Sequence, residues 1–215
     1  MLKLCRSQLY TAVIADTLDS FGYHNQIVKP GLKLLDSKLT LCGFARVGLY
    51  MPVYHDDDNI RVYENEIALV DSLNAGDVPV LVCHGNLRIS PWGELLSERS
   101  VQLGAAGCLT DGCIRDARQI TGLKFPVISG GTNPADTKYR GKMMMSDVPG
   151  EIGGVLINSG DLVFGDIDGI VIVPKAVIAE VVEKAFEKVN AENVVRDEIR
   201  SGNTLVDIFA RYKIL

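Results

Sequence analysis

Two patterns of alternation follow one another along this chain, and together they restrict its fold more than any single motif. Between residues 78 and 129, three short apolar runs (78–83, 106–110 and 125–129) are separated by helical patterns at 93–103 and 115–122. Apolar runs of that length between glycine-bearing turns read as buried strands. From 154 to 173 the pattern changes to three β-rich pieces in succession, at 154–158, 161–164 and 169–173. Strand–helix alternation followed by strand after strand predicts an α/β domain with a mixed, layered sheet, not a purely doubly wound one.

The flanking segments complete the plan. Residues 7–20 carry Leu9, Val13, Ile14 and Leu18 at helical spacing and stop at Gly22. Residues 39–49 read as a strand in which Gly43 marks a bulge or a close approach of two backbones. Asn59 is placed to cap a helix with the stripe Ile60, Tyr63, Ile67 and Val70, closed by Ala75-Gly76. The stretch 132–150 is polar and carries Pro134 and Pro149, so an irregular surface wrap is expected, with Met143-Met144-Met145 as strand or core filler. Pro174 opens a long helix over 175–200, Ser201-Gly202-Asn203 breaks it, and a last helix spans 204–212. With 215 residues and no repeat or linker, the chain reads as one domain over 1–215. Residues 175–215 form a helical C-terminal arm that can pack on another subunit.

Charge and cysteine usage exclude several classes. Lys plus Arg number 22 against 27 Asp plus Glu, a net charge of −5, and no basic block occurs, which argues against nucleic acid. No run of 18 apolar residues is present and the N-terminus lacks a signal-peptide core, so no membrane partner is expected. Five scattered cysteines in mostly apolar surroundings read as buried thiols in a reducing compartment, hence a cytoplasmic location.

The chemistry concentrates between Trp92 and Asp116. Two glycine turns, at Gly93 and at Asp111-Gly112, follow predicted strands, and strand-end loops are where α/β sheets bind ligands. A helix starting at Gly93 leaves the amides of Glu94, Leu95 and Leu96 to donate to an anion. Arg115 can grip a carboxylate with two parallel hydrogen bonds. Asp116 is a hard oxygen ligand for Mg2+ or Mn2+, and Glu94 can hold one of the ion's waters. An isolated Arg-Asp pair is more often a surface ion pair; the two converging turns favour a site.

Other motifs have plainer readings. Cys108 and Cys113 lack the second pair a zinc site needs. His84 reads as a hydrogen-bonded structural histidine, and His55-Asp56-Asp57-Asp58 as a solvated loop. Ser129-Gly-Gly-Thr-Asn-Pro134 lacks the Lys-Ser/Thr of a phosphate loop. Asp161, Asp166 and Asp168 read as turn formers in a hairpin.

Gly93-Glu94-Leu95-Leu96, followed by Gly104-Ala-Ala-Gly107-Cys-Leu-Thr-Asp111-Gly112-Cys-Ile-Arg115-Asp116, resembles the RraA-like family. That family includes 4-hydroxy-4-methyl-2-oxoglutarate aldolases and the regulator of ribonuclease E activity A. Its metal site carries an Asp, twenty residues, then Arg-Asp; here Glu94 and Arg115 enclose the same interval. Thr11 to Leu18, Phe125-Pro126-Val127 and Gly160-Asp161 to Pro174 extend the resemblance over most of the chain.

The resemblance implies a layered α/β domain of the swivelling β/β/α type, assembled as a homotrimer or hexamer. It also implies a metal-dependent lyase that cleaves 4-hydroxy-4-methyl-2-oxoglutarate-type 2-oxo acids to pyruvate and decarboxylates oxaloacetate. In that assignment the Gly93–Leu96 turn and Arg115 bind substrate, Asp116 ligates Mg2+ or Mn2+, and Glu94 holds the catalytic water. Glu192 stands for a glutamate that approaches the site from a neighbouring subunit. Two departures stand out: Glu94 is a methylene longer than the family's Asp, and Ser159 replaces a proline before Gly160-Asp161. The alternative is a non-catalytic, protein-binding regulator on the same scaffold. A methyltransferase lacks the nucleoside-binding loop it would need.

Overall fold

The computed structural model describes residues 1–55 and 61–214. Along the chain come α1 (Leu2–Gln8), α2 (Thr11–Ser20), β1 (Lys33–Leu34), β2 (Leu41–Pro52), α3 (Glu64–Asp71) and β3 (Asp77–Val82). The middle supplies α4 (Glu94–Gln102), β4 (Cys108–Thr110), β5 (Cys113–Ile114), α5 (Ala117–Gly122), β6 (Val127–Ser129), β7 (Gly131–Thr132) and β8 (Gly141–Ser146). Strands β9 (Gly150–Ile152), β10 (Val155–Ile157), β11 (Leu162–Gly165) and β12 (Ile170–Val173) precede α6 (Ile178–Arg200) and α7 (Leu205–Tyr212).

The main sheet runs β1-β6-β4-β3-β2-β11-β12, with β8 also paired to β2. Strands β2, β3, β4 and β6 pair in parallel, whereas β1, β8, β11 and β12 join antiparallel, so the sheet is mixed as the two sequence patterns require. Strand periodicity then sorts the core into layers. On one face Ala45, Val47, Val80, Leu109, Val163 and Ile172 pack with Ile152 and Ile157 of the β9–β10 hairpin. The opposite face is covered by helices: Cys42, Phe164 and Val173 meet α1, α2 and α6, while Tyr50, Leu81 and Cys108 meet residues of α3, α5 and the loop before α4. The result is a β/β/α layering.

The sheet curls toward the hairpin side. A methyl on Gly165 of β11 would meet Ile128 of β6 at 2.5 Å, although those strands are far apart in the sheet order. Gly43 is a close approach, not a bulge: a Cβ there would lie 2.4 Å from the Gly76 carbonyl oxygen and 2.6 Å from Ala106 Cβ. Backbone on one side and core on the other leave room only for hydrogen.

Three segments differ from the sequence reading. The helix expected over 7–20 is two helices, broken at Leu9 and Tyr10, both extended. Asp166 imposes the break by accepting from the Thr11 amide at 2.8 Å and the Thr11 hydroxyl at 2.7 Å, while Leu9 turns into the core. The stretch 132–150 is not irregular throughout, because β8 pairs with the second half of β2 and buries Met143. Finally, α3 buries Glu66, Leu69 and Val70, with Ile67 51% exposed; Asn59 and Ile60 lie outside the described residues.

All five cysteines are free and buried. No described helix is long and apolar enough to cross a membrane. His84 is exposed, with a left-handed φ of 54°, and among the described residues its ring makes no hydrogen bond of the kind expected for a structural histidine.

Candidate active site

The parallel strands β3 and β4 end at the same sheet edge, and two loops leave it. The β3 loop reaches Trp92, which forms a parallel bridge with Ile114 of the second loop. The Cys113 amide donates to the Ile89 carbonyl at 2.9 Å and the Arg115 amide to that of Trp92 at 3.0 Å, so the loops are stitched together. Trp92 anchors them. Its ring is fully buried and stacks on Phe125 at 6.3 Å between centroids. Its indole N–H donates to Ser97 Oγ at 2.8 Å, which donates to the Gly93 carbonyl at 2.9 Å and ties the start of α4 to the bridge.

Asp111 fixes the base of the β3 loop. Its carboxylate accepts from the amides of Cys83 at 2.5 Å and Gly85 at 2.8 Å, while burial pushes its own ionisation upward.

The stitched loops place the expected residues side by side. Asp116 Oδ2 accepts from the Glu94 amide at 3.1 Å, and Arg115 Nε lies 3.7 Å from the same oxygen. Thus one carboxylate already occupies part of the helix-start donor set. Among the described residues no acceptor takes up the amides of Leu95 and Leu96. Asp116 sits at φ 56°, ψ 33°, a left-handed conformation that Asp tolerates better than most residues and that aims its carboxylate back toward Gly93. Backbone held in a sparsely populated region is a recurrent property of ligand-binding sites.

Around this pair lies a cleft of about 400 Å³, bordered by Gly93, Glu94, Leu95, Leu96, Arg115 and Asp116. All the sequence-predicted residues of the two turns therefore converge. Glu192 does not border it; on α6 its carboxylate accepts from the Tyr10 hydroxyl. Burial and that bond push Tyr10 up to about 12.

The far wall was missed by sequence reasoning. Tyr63, Glu66 and Asp136 also border the cleft. Arg115 Nη1 lies 3.5 Å from Asp136 Oδ1, whose other oxygen accepts from the Tyr63 hydroxyl. Burial, followed by the Asp136 bond, raises Tyr63 to about 12. Glu66 is 6% exposed and accepts from the Tyr50 hydroxyl at 2.5 Å. Burial pushes its carboxyl from 4.5 up to about 7; the Tyr50 bond and Arg115 oppose the shift, and Asp136 adds to it.

That shift has a consequence for stability. Between pH 4.5 and about 7 the native state holds the Glu66 proton that the unfolded state has lost. Stability therefore falls as pH rises through that window, by about 3 kcal/mol when complete. Denaturant titrations at pH 5 and pH 8 should show the drop in the native protein and a much smaller one in Glu66→Gln.

Among the described residues no group of three or more His, Cys, Asp or Glu could hold a metal ion. The donors bordering the cleft fit Mg2+ or Mn2+, which take one or two carboxylates and complete their shell with water and substrate. Asp116 and Glu94 are such carboxylates, both bordering the cleft.

A mixed α/β sheet whose strand-end loops set an Arg-Asp pair against a helix start defines the class, a layered α/β protein with a cleft at the strand ends. The Aldolase/RraA model of the RraA-like family matches residues 11–172, and the chain belongs to that family. It is 32% identical over 195 residues to a Halalkalibacterium halodurans protein named "Putative 4-hydroxy-4-methyl-2-oxoglutarate aldolase", covering 91% of this chain and 86% of the relative. It is 27% identical to protein DlpA of Legionella pneumophila, of which it spans 31%. Among solved structures, RraAS2 of Streptomyces coelicolor, described as an unusual member of the RNase ES inhibitor RraA family, superposes with a TM-score of 0.79 at 29% identity. That match covers 91% of this chain and 94% of the other.

Proposed function

We propose that this chain is a lyase that cleaves a small 2-oxo acid to pyruvate at the cleft between α3 and α4. The observation that carries the reading is the convergence of Arg115 and Asp116 with the first turn of α4 in one cleft. The aldolase name of the Halalkalibacterium relative supports it.

Arg115 would bind the 2-oxo carboxylate, since a planar fork suits a planar acid. The amides of Leu95 and Leu96 add donors at the helix start. Asp116 would hold a divalent ion of the Mg2+ or Mn2+ type, which when bound supplies Lewis-acid polarisation of the 2-oxo group. Glu94 would orient a water. Glu192 would serve the cleft of a neighbouring subunit in a homotrimer or hexamer. Trp92, Pro91 and Leu96 give the cleft an apolar wall that keeps bulk water from the reacting carbons.

Pyruvate release from 4-hydroxy-4-methyl-2-oxoglutarate and from oxaloacetate, measured with Mg2+ and then with EDTA, tests the reading. Turnover that is lost on chelation and restored by Mg2+ or Mn2+ is expected. Absence of turnover on both acids in the presence of either ion would refute it. It would favour the alternative, a protein-binding regulator, which the superposition on RraAS2 supports.

A further inference from the structure

The roles assigned so far leave the most enclosed carboxyl group of the cleft unused. Glu66 projects from α3 at the cleft wall, with only 6% of its surface exposed. Behind it stands Tyr50 of β2, fully buried, whose hydroxyl donates to Glu66 Oε2 at 2.5 Å. Besides Tyr50, the titratable groups that interact with it electrostatically are Cys83 at the end of β3, Arg115 before α5, Asp136 before β8, and Tyr63 at the head of α3. Cys108 of β4 lies beyond Tyr50. Both thiols are kept protonated by burial, so Arg115 is the cation among these groups. A buried carboxyl is costly unless partnered; here it is partnered and turned to the one cleft where charge would develop.

We propose that Glu66 is the acid–base group of this cleft, taking a proton from a substrate hydroxyl and returning it to the enolate carbon. This rests on the lyase reading above. In a 4-hydroxy-2-oxo acid the Glu66 carboxylate removes the C4 hydroxyl proton, and the O–H pair becomes the new C=O. The C3–C4 bonding pair moves between C2 and C3, and the C2 carbonyl pair moves onto oxygen, giving the enolate. Glu66 then returns the proton to C3, so pyruvate forms and the carboxylate is regenerated with no further reactant. One group can do both because burial holds its ionisation near neutrality, where accepting and donating are both feasible. Tyr50 is a positioning residue that acts through Glu66.

The reaction pair that tests this is 4-hydroxy-2-oxo acid cleavage against oxaloacetate decarboxylation, in which the C–C bond breaks without loss of a hydroxyl proton. Glu66→Gln keeps an acceptor for Tyr50. It should lower aldol cleavage by about 10²-fold or more, the usual range for loss of a positioned acid–base group. The same loss is expected in exchange of pyruvate methyl protons with D2O, followed by NMR, while the first-turnover release of CO2 from oxaloacetate, which precedes the return of a proton to C3, falls by less than about fivefold. Tyr50→Phe preserves the ring. Because the Tyr50 bond opposes the upward push on Glu66, the rising limb of the pH profile should move to higher pH.

Equal losses in both reactions, or no loss, would overturn the role of Glu66 and leave the lyase standing. A native protein that turns over neither acid would overturn the lyase reading and Glu66 with it. Thermal melts of both variants keep misfolding from imitating either result, and Tyr50→Phe decides should Glu66→Gln not fold.

Discussion

Replacing Arg115 by alanine is expected to lower kcat/KM for a 2-oxo acid by about 10²- to 10³-fold, with lysine restoring only a minor part. Truncating one partner of a charge pair in a shielded site costs roughly 2–5 kcal/mol, and each 1.4 kcal/mol is tenfold. Lysine retains the charge but offers no planar fork, so two parallel bonds to a carboxylate are lost. The setting magnifies the effect, because Arg115 is the single cation among the described residues bordering the cleft, against Glu94, Asp116 and Asp136. Without it no cationic side chain among the described residues bordering the cleft faces an incoming acid. The fold should hardly notice: the arginine is 39% exposed, and its ion pairs, at 3.5 and 3.7 Å, are loose. Partly exposed pairs of this kind contribute about 0–1 kcal/mol. Steady-state kinetics beside urea titrations of the same variant separate the two effects. A kcat/KM within about threefold of the native protein would place the substrate carboxylate elsewhere, since a hydrogen bond to a charged group is typically worth about 1.5–3 kcal/mol.

The half of the site built by α4 and the Arg-Asp turn could be read from sequence because its residues are local. Gly93 and Gly112 mark strand-to-helix turns, and Glu94, Arg115 and Asp116 stand in the motif that resembles the family. The other half could not. Glu66 sits in a helix whose apolar residues Tyr63, Ile67 and Val70 suggest a different buried face, and a carboxylate ordinarily marks the side toward water. What buries it is Tyr50, on a strand sixteen positions earlier. Asp136 lies in a proline-bearing loop and owes its place to Tyr63, 73 residues upstream. The break at Leu9–Tyr10 has the same origin, since helical spacing continues across it and only Asp166, 155 residues away, decides where α2 begins. Periodicity reports solvent and turn chemistry; it is silent on which polar side chains satisfy one another across the core.

Gly93→Ala should disarm the site while leaving the fold almost intact, which makes it the sharpest test that this turn is functional. The φ of Gly93 is −152° with ψ −170°, extended backbone that alanine adopts freely, so no strain is introduced there. The added methyl instead meets Asp116 Oδ2 at 2.7 Å, Arg115 Cγ at 3.2 Å and Arg115 Nε at 3.4 Å. These are side-chain atoms that can swing into the cleft, so the energetic cost to folding should stay below about 1 kcal/mol. The swing nevertheless pulls the carboxylate from the Glu94 amide and turns the guanidinium. A displacement of about 1 Å at a reacting centre lowers rates by about 10²-fold. The variant should thus melt near the native temperature, need more Mg2+ for half-maximal activity, and lose about two decades in kcat/KM. Gly107→Ala is the contrasting control, because its Cβ would strike the Pro126 carbonyl oxygen at 2.4 Å and Leu41 Cδ1 at 2.3 Å, with φ at +149°. There the backbone cannot yield, and stability must fall. Should Gly93→Ala keep native kcat/KM and native Mg2+ dependence, the Arg115–Asp116 pair would be a feature of the surface and not of the chemistry.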